Sequence, residues 1–166
     1  GAAALATVSS ATMGEQLRWM LAHSDNTLAD QYCRFAARAA GAPATYEGAT
    51  STVASTLSAA GVPTDGLFLE DCSGLSSNDR ISANTLVGVL KASYSGQGTS
   101  ADTMRLLPWA GLVGTLSKRM TEEPAVGNVQ AKTGALAEVS SLSGSVITRG
   151  GRVLLVSIGH DQVTAG

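Results

Sequence analysis

The tripeptides Lys132-Thr133-Gly134 and Ser24-Asp25-Asn26 hold residue types that could bind and activate a peptide. Lysine brings a cation and threonine a hydroxyl donor, and both groups suit the recognition of a carboxylate. Glycine lacks a Cβ, so an extended peptide can lie against the strand that contains it. Each tripeptide alone is a weak pattern, because serine, aspartate and asparagine are common in caps and turns. Their meaning therefore depends on the elements that carry them.

The first two thirds of the sequence are predicted to be mainly helical. Thr12 and Glu15 form a capping-box pattern, and apolar residues then recur at helical spacing as far as His23. A second helix starts after the Ser24-Asp25-Asn26 run and stops at Gly41. The predicted helical ranges are about 12–23, 27–40, 49–60, 81–92 and a short segment ending at 107–108. Ser24-Asp25-Asn26 is thus predicted to be a turn between two helices.

The last forty or so residues are predicted to form an antiparallel sheet. Alternating and β-branched residues indicate strands over 129–136, 139–149 and 152–159, and the first of these carries Lys132-Thr133-Gly134. Gly150-Gly151 is typical of a two-residue hairpin loop, which requires positive φ angles. The segment 109–120 is interrupted by glycines and gives no clear prediction, and 121–128 is predicted to be a loop. The fold class predicted from these elements is α+β, with helices against an antiparallel sheet.

The composition excludes several classes of function. A chain of 166 residues with 44% hydrophobic residues can fill the core of one compact domain. Its net charge is −2 and its basic residues are scattered, so we expect no nucleic-acid partner. The apolar stretches are shorter than a membrane span, and the first six residues lack the basic region of a signal peptide.

The cysteines and histidines point to no metal or cofactor. His23 and His160 are far apart in sequence and have no cysteine or carboxylate at ligand spacing, so we expect no metal site. Cys33 and Cys72 allow one disulfide, but no spacing requires it. Because free cysteine is commonly a small buried apolar residue, the sequence favours two reduced thiols over a bridge.

Four blocks in order resemble one family. The sequence resembles the D-alanyl-D-alanine carboxypeptidase/endopeptidase family, the class C low-molecular-mass penicillin-binding proteins, across nearly its whole length. The blocks are 24–30 with its Ser-Asp-Asn, 71–76 with 80–83, 107–116 with its Leu-Pro and Gly-Thr-Leu, and 131–134 with its Lys-Thr-Gly. The resemblance implies a penicillin-binding transpeptidase/β-lactamase-like fold, with a helical part over about 10–120 and a sheet part over about 126–160.

The Ser-x-x-Lys element that holds this family's nucleophile has no counterpart here. The lysines are Lys91, Lys118 and Lys132, and none has a serine three residues earlier. Ser73 and Ser76 have no lysine three residues later, and their surroundings are rich in turn formers, so we interpret them as structural. We therefore expect residues 1–166 to be the C-terminal portion of a longer protein, here called the parent protein, and to be inactive alone.

The resemblance also implies an activity for the parent protein. It would be a bacterial serine-type hydrolase, a carboxypeptidase or endopeptidase that acts on peptidoglycan stem peptides ending in D-Ala-D-Ala through an acyl-enzyme. Its partners would be those peptides in the cell wall, β-lactam antibiotics and the N-terminal half of the same domain, and its location extracytoplasmic, in the periplasm or cell envelope. Two alternatives remain: a non-catalytic peptide- or partner-binding module on the same scaffold, and a serine β-lactamase.

Site roles follow by resemblance. Ser24, Asn26 and Lys132 would be catalytic: Ser24 in the proton relay to the leaving amine, Asn26 bound to the peptide amide, and Lys132 near the terminal carboxylate. Thr133, Gly134 and Ala135 would bind substrate, with the backbone N–H of Ala135 as an oxyanion donor. The family more often has threonine at position 135, glycine at 72 and aspartate at 113, where this sequence has Ala135, Cys72 and Val113.

Overall fold

The computed structural model describes residues 5–96 and 103–162. In these ranges the α-helices are α1 (Met13–His23), α2 (Asn26–Ala39), α3 (Tyr46–Ala59), α4 (Ala83–Tyr94) and α5 (Thr103–Leu106). A 3-10 helix covers Gly114–Leu116, and the strands are β1 (Val129–Ala135), β2 (Ser140–Ile147) and β3 (Val153–His160). The predicted order of helices followed by strands, and with it the α+β class, is confirmed.

Side-chain caps set the starts of α1 and α2, and of these the capping box of α1 was predicted from the sequence. The Thr12 and Glu15 side chains form the reciprocal capping box at the start of α1. The Asp25 side chain accepts a hydrogen bond from the Leu28 N–H at 3.0 Å and so caps α2. Ser24 and Asp25 therefore lie in the predicted turn, whereas Asn26, predicted to lie there too, is the first residue of α2.

The helices α3 and α4 begin two or three residues away from the predicted positions, and their N-terminal caps are the reason. The Thr45 hydroxyl accepts from the Gly48 N–H at 3.1 Å, so α3 starts three residues before the predicted position 49. The Ser82 hydroxyl caps α4 through the Thr85 N–H, while Arg80 pairs with Phe68 in an isolated β-bridge. That pairing keeps the chain extended before Ser82 and delays the helix by two residues.

The sheet is antiparallel in the order β1-β2-β3. Lys132 lies opposite Ser143, and Gly134 lies opposite Ser141. The hairpin between β2 and β3 differs from the prediction: the Thr148 N–H donates to the Arg152 carbonyl, which leaves three loop residues. Only Gly151 in this loop has positive φ, at 75°. Three-residue hairpin loops with one left-handed glycine are also common, and this loop is one of them, so the two-residue prediction was wrong.

Each face of the sheet is covered by a different part of the chain. Leu116 and Ala110 pack with Val129 and Ala131 on one face. On the other face, Leu155 packs on the group Leu90, Met104 and Leu107, and the Gln130 side chain donates to the Leu107 carbonyl at 3.0 Å. Because successive strand residues point to opposite faces, Thr133 shares the first face with Ala131, and Lys132 shares the second with Gln130.

The two cysteines form a disulfide. Cys33 in α2 is bonded to Cys72, with the Cα atoms 6.3 Å apart. Asp30, one turn earlier in α2, also accepts a hydrogen bond from the Cys72 N–H at 3.0 Å. The expectation of two free thiols was wrong, because the fold brings residues separated by 39 positions to bonding distance, which local spacing does not reveal.

Candidate active site

Ser24 is placed by a left-handed turn at the end of α1. Its backbone has φ 55° and ψ 50°, and its N–H donates to the Met20 carbonyl. A serine in this conformation is uncommon and costs about 1–2 kcal/mol relative to the right-handed region. The side chain is exposed. The turn therefore presents the hydroxyl to the outside of the helix pair.

The hydroxyl of Ser24 meets the side chain of Lys132. The Nζ of Lys132 donates to the Oγ of Ser24 at 2.8 Å and also to the Thr133 carbonyl at 2.6 Å. The first of these bonds joins residues 108 positions apart in the sequence. The two tripeptides singled out from the sequence thus come together in space.

The ammonium group of Lys132 lies in an unusual electrostatic setting. The side chain is half-buried, and burial holds its pKa below the ordinary value. Within residues 5–96 and 103–162, both acceptors of its hydrogen bonds are uncharged oxygens. A partly desolvated cation with only neutral partners is stabilised by an incoming anion.

Thr133 points to the opposite face of β1 and meets a different partner. Its Oγ1 donates to the Oγ1 of Thr115 at 2.9 Å. Thr115 lies in the 3-10 helix and belongs to the Gly-Thr-Leu block, but no local pattern predicts its contact with the site. Its position next to Thr133 is a finding of the structure.

The end of β1 has an open edge. The Ala131 N–H donates to the Pro108 carbonyl, and the Val129 carbonyl accepts from the Ala110 N–H. These contacts show that alternate residues of β1 direct their polar backbone groups away from β2, so Thr133 and Ala135 do the same. Ala135 is exposed, and the N–H that it directs outward has no hydrogen bond within the described ranges. An extended peptide can pair with this edge.

Gly134 has a local packing role. A Cβ on Gly134 would point at the Ser141 hydroxyl, which lies opposite on β2. The glycine therefore leaves room for a side chain of its own sheet.

Other candidate residues stay outside the contact between the two tripeptides. Asn26 is the first residue of α2 and is half-buried, and among the described residues its side chain makes no hydrogen bond. The Ser73 hydroxyl donates to Asp71 and the Ser76 hydroxyl to Glu70, two contacts within their own turn that agree with a structural interpretation. His23 stacks on Trp19 with ring centroids 3.7 Å apart.

The part of the chain that the structure describes contains no group of three or more His, Cys, Asp and Glu side chains placed to hold a metal ion. None of the helices in the two described ranges combines the length and apolar character that a bilayer crossing requires.

Comparison with known proteins places this arrangement in a family. Residues 1–165 match the model of the D-Ala-D-Ala carboxypeptidase 3 (S13) family. The chain belongs to this family. The match confirms the resemblance based on the Ser-Asp-Asn and Lys-Thr-Gly blocks, and it covers both of the contacting tripeptides.

Relatives of known name agree with this assignment. The chain is 39% identical to carboxypeptidase DacB of Mycolicibacterium smegmatis over 163 residues, which are 95% of this chain and 35% of that protein. It is 36% identical to the D-alanyl-D-alanine carboxypeptidase of Actinomadura sp. strain R39, covering 86% of this chain and 27% of that protein. The chain therefore spans about a third of the length of the curated relatives it matches.

A solved structure confirms the fold. Penicillin binding protein 4 (dacB) of Haemophilus influenzae, in complex with a β-lactam, superimposes with a TM-score of 0.82 at 31% sequence identity. The superposition covers 92% of this chain and 36% of that one. The penicillin-binding fold expected from the sequence is thus confirmed for the part of it that this chain represents.

Proposed function

We propose that the parent protein is a serine-type D-Ala-D-Ala carboxypeptidase or endopeptidase that acts on peptidoglycan stem peptides. We propose further that it reacts through an acyl-enzyme and is acylated by β-lactams. Residues 1–166 would form the C-terminal portion of its transpeptidase-like domain, and a preceding segment would supply the Ser-x-x-Lys nucleophile. The chain alone would then be inactive, because it holds only one side of the active site.

The observation that carries this proposal is the contact between Lys132 and Ser24. The ammonium is half-buried, and its hydrogen-bond acceptors within residues 5–96 and 103–162 are neutral oxygens at 2.8 and 2.6 Å, which suits a ligand with a free carboxylate. The C-terminal D-alanine of a stem peptide has such a group, and so does a penicillin. The open edge of β1 beside this cation suits an extended peptide chain.

Each site residue has a proposed role in this reaction. Lys132 and Thr133 would hold the terminal carboxylate, and the Ala135 N–H would donate to the oxyanion of the tetrahedral intermediate. Ser24 receives a hydrogen bond from the Lys132 ammonium, so its hydroxyl proton is directed elsewhere, towards the leaving amine. Asn26 has a side-chain amide without a hydrogen bond in the described ranges and would bind the peptide amide.

The backbone of β1 supports the assignment of Ala135. The donors of an oxyanion hole act by being fixed before the reaction, and strand pairing over Val129–Ala135 fixes this N–H. Alanine in place of the family's usual threonine keeps the backbone donor and loses a hydroxyl. We therefore propose that the carboxylate of the substrate relies here on Lys132 and Thr133.

Location outside the cytoplasm is part of the proposal. The disulfide between Cys33 and Cys72 supports it, since disulfides persist in oxidising compartments and are rare in the cytosol. Cell-wall substrates lie in the same compartment.

The test is the intact mass of the parent protein before and after incubation with benzylpenicillin. We expect a gain of one penicillin mass, lost when the serine of the proposed Ser-x-x-Lys segment is changed to alanine. A parent protein that binds stem peptides but gains no adduct would instead be a binding module. Rapid turnover of the penicillin, with little hydrolysis of D-Ala-D-Ala peptides, would favour the β-lactamase alternative.

A further inference from the structure

Thr115 contacts the site without belonging to either tripeptide. Its Oγ1 accepts the hydrogen of the Thr133 hydroxyl at 2.9 Å, across 18 positions of sequence. The side chain of Thr115 is exposed, so its own burial does not hold it there. Something else must fix its position beside β1.

Both neighbours of Thr115 are anchored, and they are anchored to different elements. Leu116 is fully buried in the group with Val129 and Ala131 beneath β1. Gly114 has φ 60°, and its Cα lies so close to α1 that a Cβ would overlap the backbone of Ala22. Ala22 precedes Ser24 by two residues, so Thr115 is held between the strand that carries Lys132 and the helix end that carries Ser24.

We propose that Thr115 is a positioning residue for the carboxylate site, an inference that rests on the function proposed above. In the free site its oxygen fixes the side chain of Thr133. When a carboxylate binds, the Thr133 hydroxyl turns its hydrogen to that anion. The Thr115 hydroxyl then donates its own hydrogen to the oxygen of Thr133.

The chemistry of hydroxyl groups supports this pair of linked hydrogen bonds. A hydroxyl has one donor hydrogen and two acceptor sites, so Thr133 can give a hydrogen bond and receive one together. A hydroxyl that receives a hydrogen bond is a stronger donor, because the bonds polarise each other. Thr115 would therefore strengthen the hold of Thr133 on the substrate without touching the substrate.

The experiment measures acylation of the parent protein by benzylpenicillin, with the dissociation constant and the acylation rate constant determined separately. For Thr115→Val we expect the dissociation constant to rise by about 2- to 12-fold, the range of one neutral hydrogen bond, with the acylation rate constant little changed. Thr115→Ser should restore the wild-type value, because it returns the hydroxyl. Thr115→Ala serves as a second variant if valine disturbs the fold.

Two controls separate positioning from a general structural effect. Ser117→Ala removes a hydroxyl two residues after Thr115, from a side chain that makes no hydrogen bond in the described ranges, and should leave the dissociation constant unchanged. In a Thr133→Ala background, Thr115→Val should not change the dissociation constant further, because the hydrogen bond between the two hydroxyls is already absent.

The possible results are distinct. An unchanged dissociation constant in Thr115→Val and Thr115→Ala would overturn the inference. So would a loss of affinity on Thr115→Val that is equally large in the wild-type and Thr133→Ala backgrounds. Either result, with a wild-type protein that is acylated, leaves the proposed function intact. A folded wild-type protein that is not acylated at all would overturn the proposed function and this inference with it.

Discussion

The close approach of Gly114 to α1 leads to a prediction with a matched control. Gly114→Ala places a Cβ 2.9 Å from the carbonyl carbon and from the Cα of Ala22, and closer still to its carbonyl oxygen. These are backbone atoms, which cannot rotate away as a side chain can. Gly127→Ala places a Cβ at a similar backbone angle, φ 67° against 60°, but its nearest neighbour is the Leu112 Cδ1 at 3.9 Å.

The two variants therefore share one cost and differ in the other. A left-handed backbone costs about 1–2 kcal/mol for alanine relative to glycine, and this applies to both. Displacement of packed atoms adds about 1–3 kcal/mol, and this applies only to Gly114→Ala. We expect the free energy of unfolding to fall by about 2–5 kcal/mol for Gly114→Ala and by about 1–2 kcal/mol for Gly127→Ala.

The assay compares the denaturant midpoints of the two variants of the parent protein, followed by their rates of acylation with benzylpenicillin under conditions where both are folded. Movement of Ala22 moves Ser24, and a displacement near 1 Å at a reacting group costs about 10²-fold in rate. We expect such a loss for Gly114→Ala and little change for Gly127→Ala. Equal losses of stability in the two variants would refute the reasoning, since the contact with Ala22 would then have no energetic consequence.

Two further predictions concern charge and cross-linking. Burial lowers the pKa of Lys132, so its protonated form should be lost as the pH rises through a value below the ordinary 10.5. We expect the second-order rate constant of acylation to fall in that pH range, and to fall only at higher pH in Lys132→Arg. A fall at the same pH in Lys132→Arg would assign the titration to another group. The same lowered pKa means that the protonated lysine destabilises the fold at neutral pH, a cost relieved as pH rises from the folded value to the unfolded one. The disulfide closes a loop across 39 positions, so the Cys33→Ser and Cys72→Ser double variant should lose about 4 kcal/mol of unfolding free energy, because its unfolded chain is no longer cross-linked. Chemical denaturation measures this loss, and an unchanged free energy of unfolding would contradict the chain-entropy argument.

Local signals in the sequence predicted the elements well where caps were recognised. The capping box of Thr12 and Glu15 placed the start of α1, and the turn-forming types of Ser24 and Asp25 placed the turn that follows it. The early start of α3 was missed because Thr45 was not recognised as a cap, although its type is typical of one. The hairpin loop was shortened by one residue because both glycines were assigned positive φ, and only Gly151 has it.

Contacts between distant residues were beyond local patterns. The bond from Lys132 to Ser24 spans 108 positions, and only the resemblance to a family indicated that these residues meet. The pairing of Cys33 with Cys72 depends on the docking of the turn at Cys72 against α2, which no spacing rule encodes. Thr115 carries no sequence signal of its own, since an exposed threonine between a glycine and a leucine is ordinary.

The opposite orientations of Lys132 and Thr133 restrict how β1 can pair with β2. A slip of one residue would turn Lys132 towards the 3-10 helix and Thr133 towards α1, and it would break both of their contacts at once. A slip of two residues would restore the faces but move both groups about 6.6 Å along the strand, out of reach of their partners. Both side-chain contacts therefore form only in the observed register of β1 and β2, and a chain that pairs in another register loses its candidate active site.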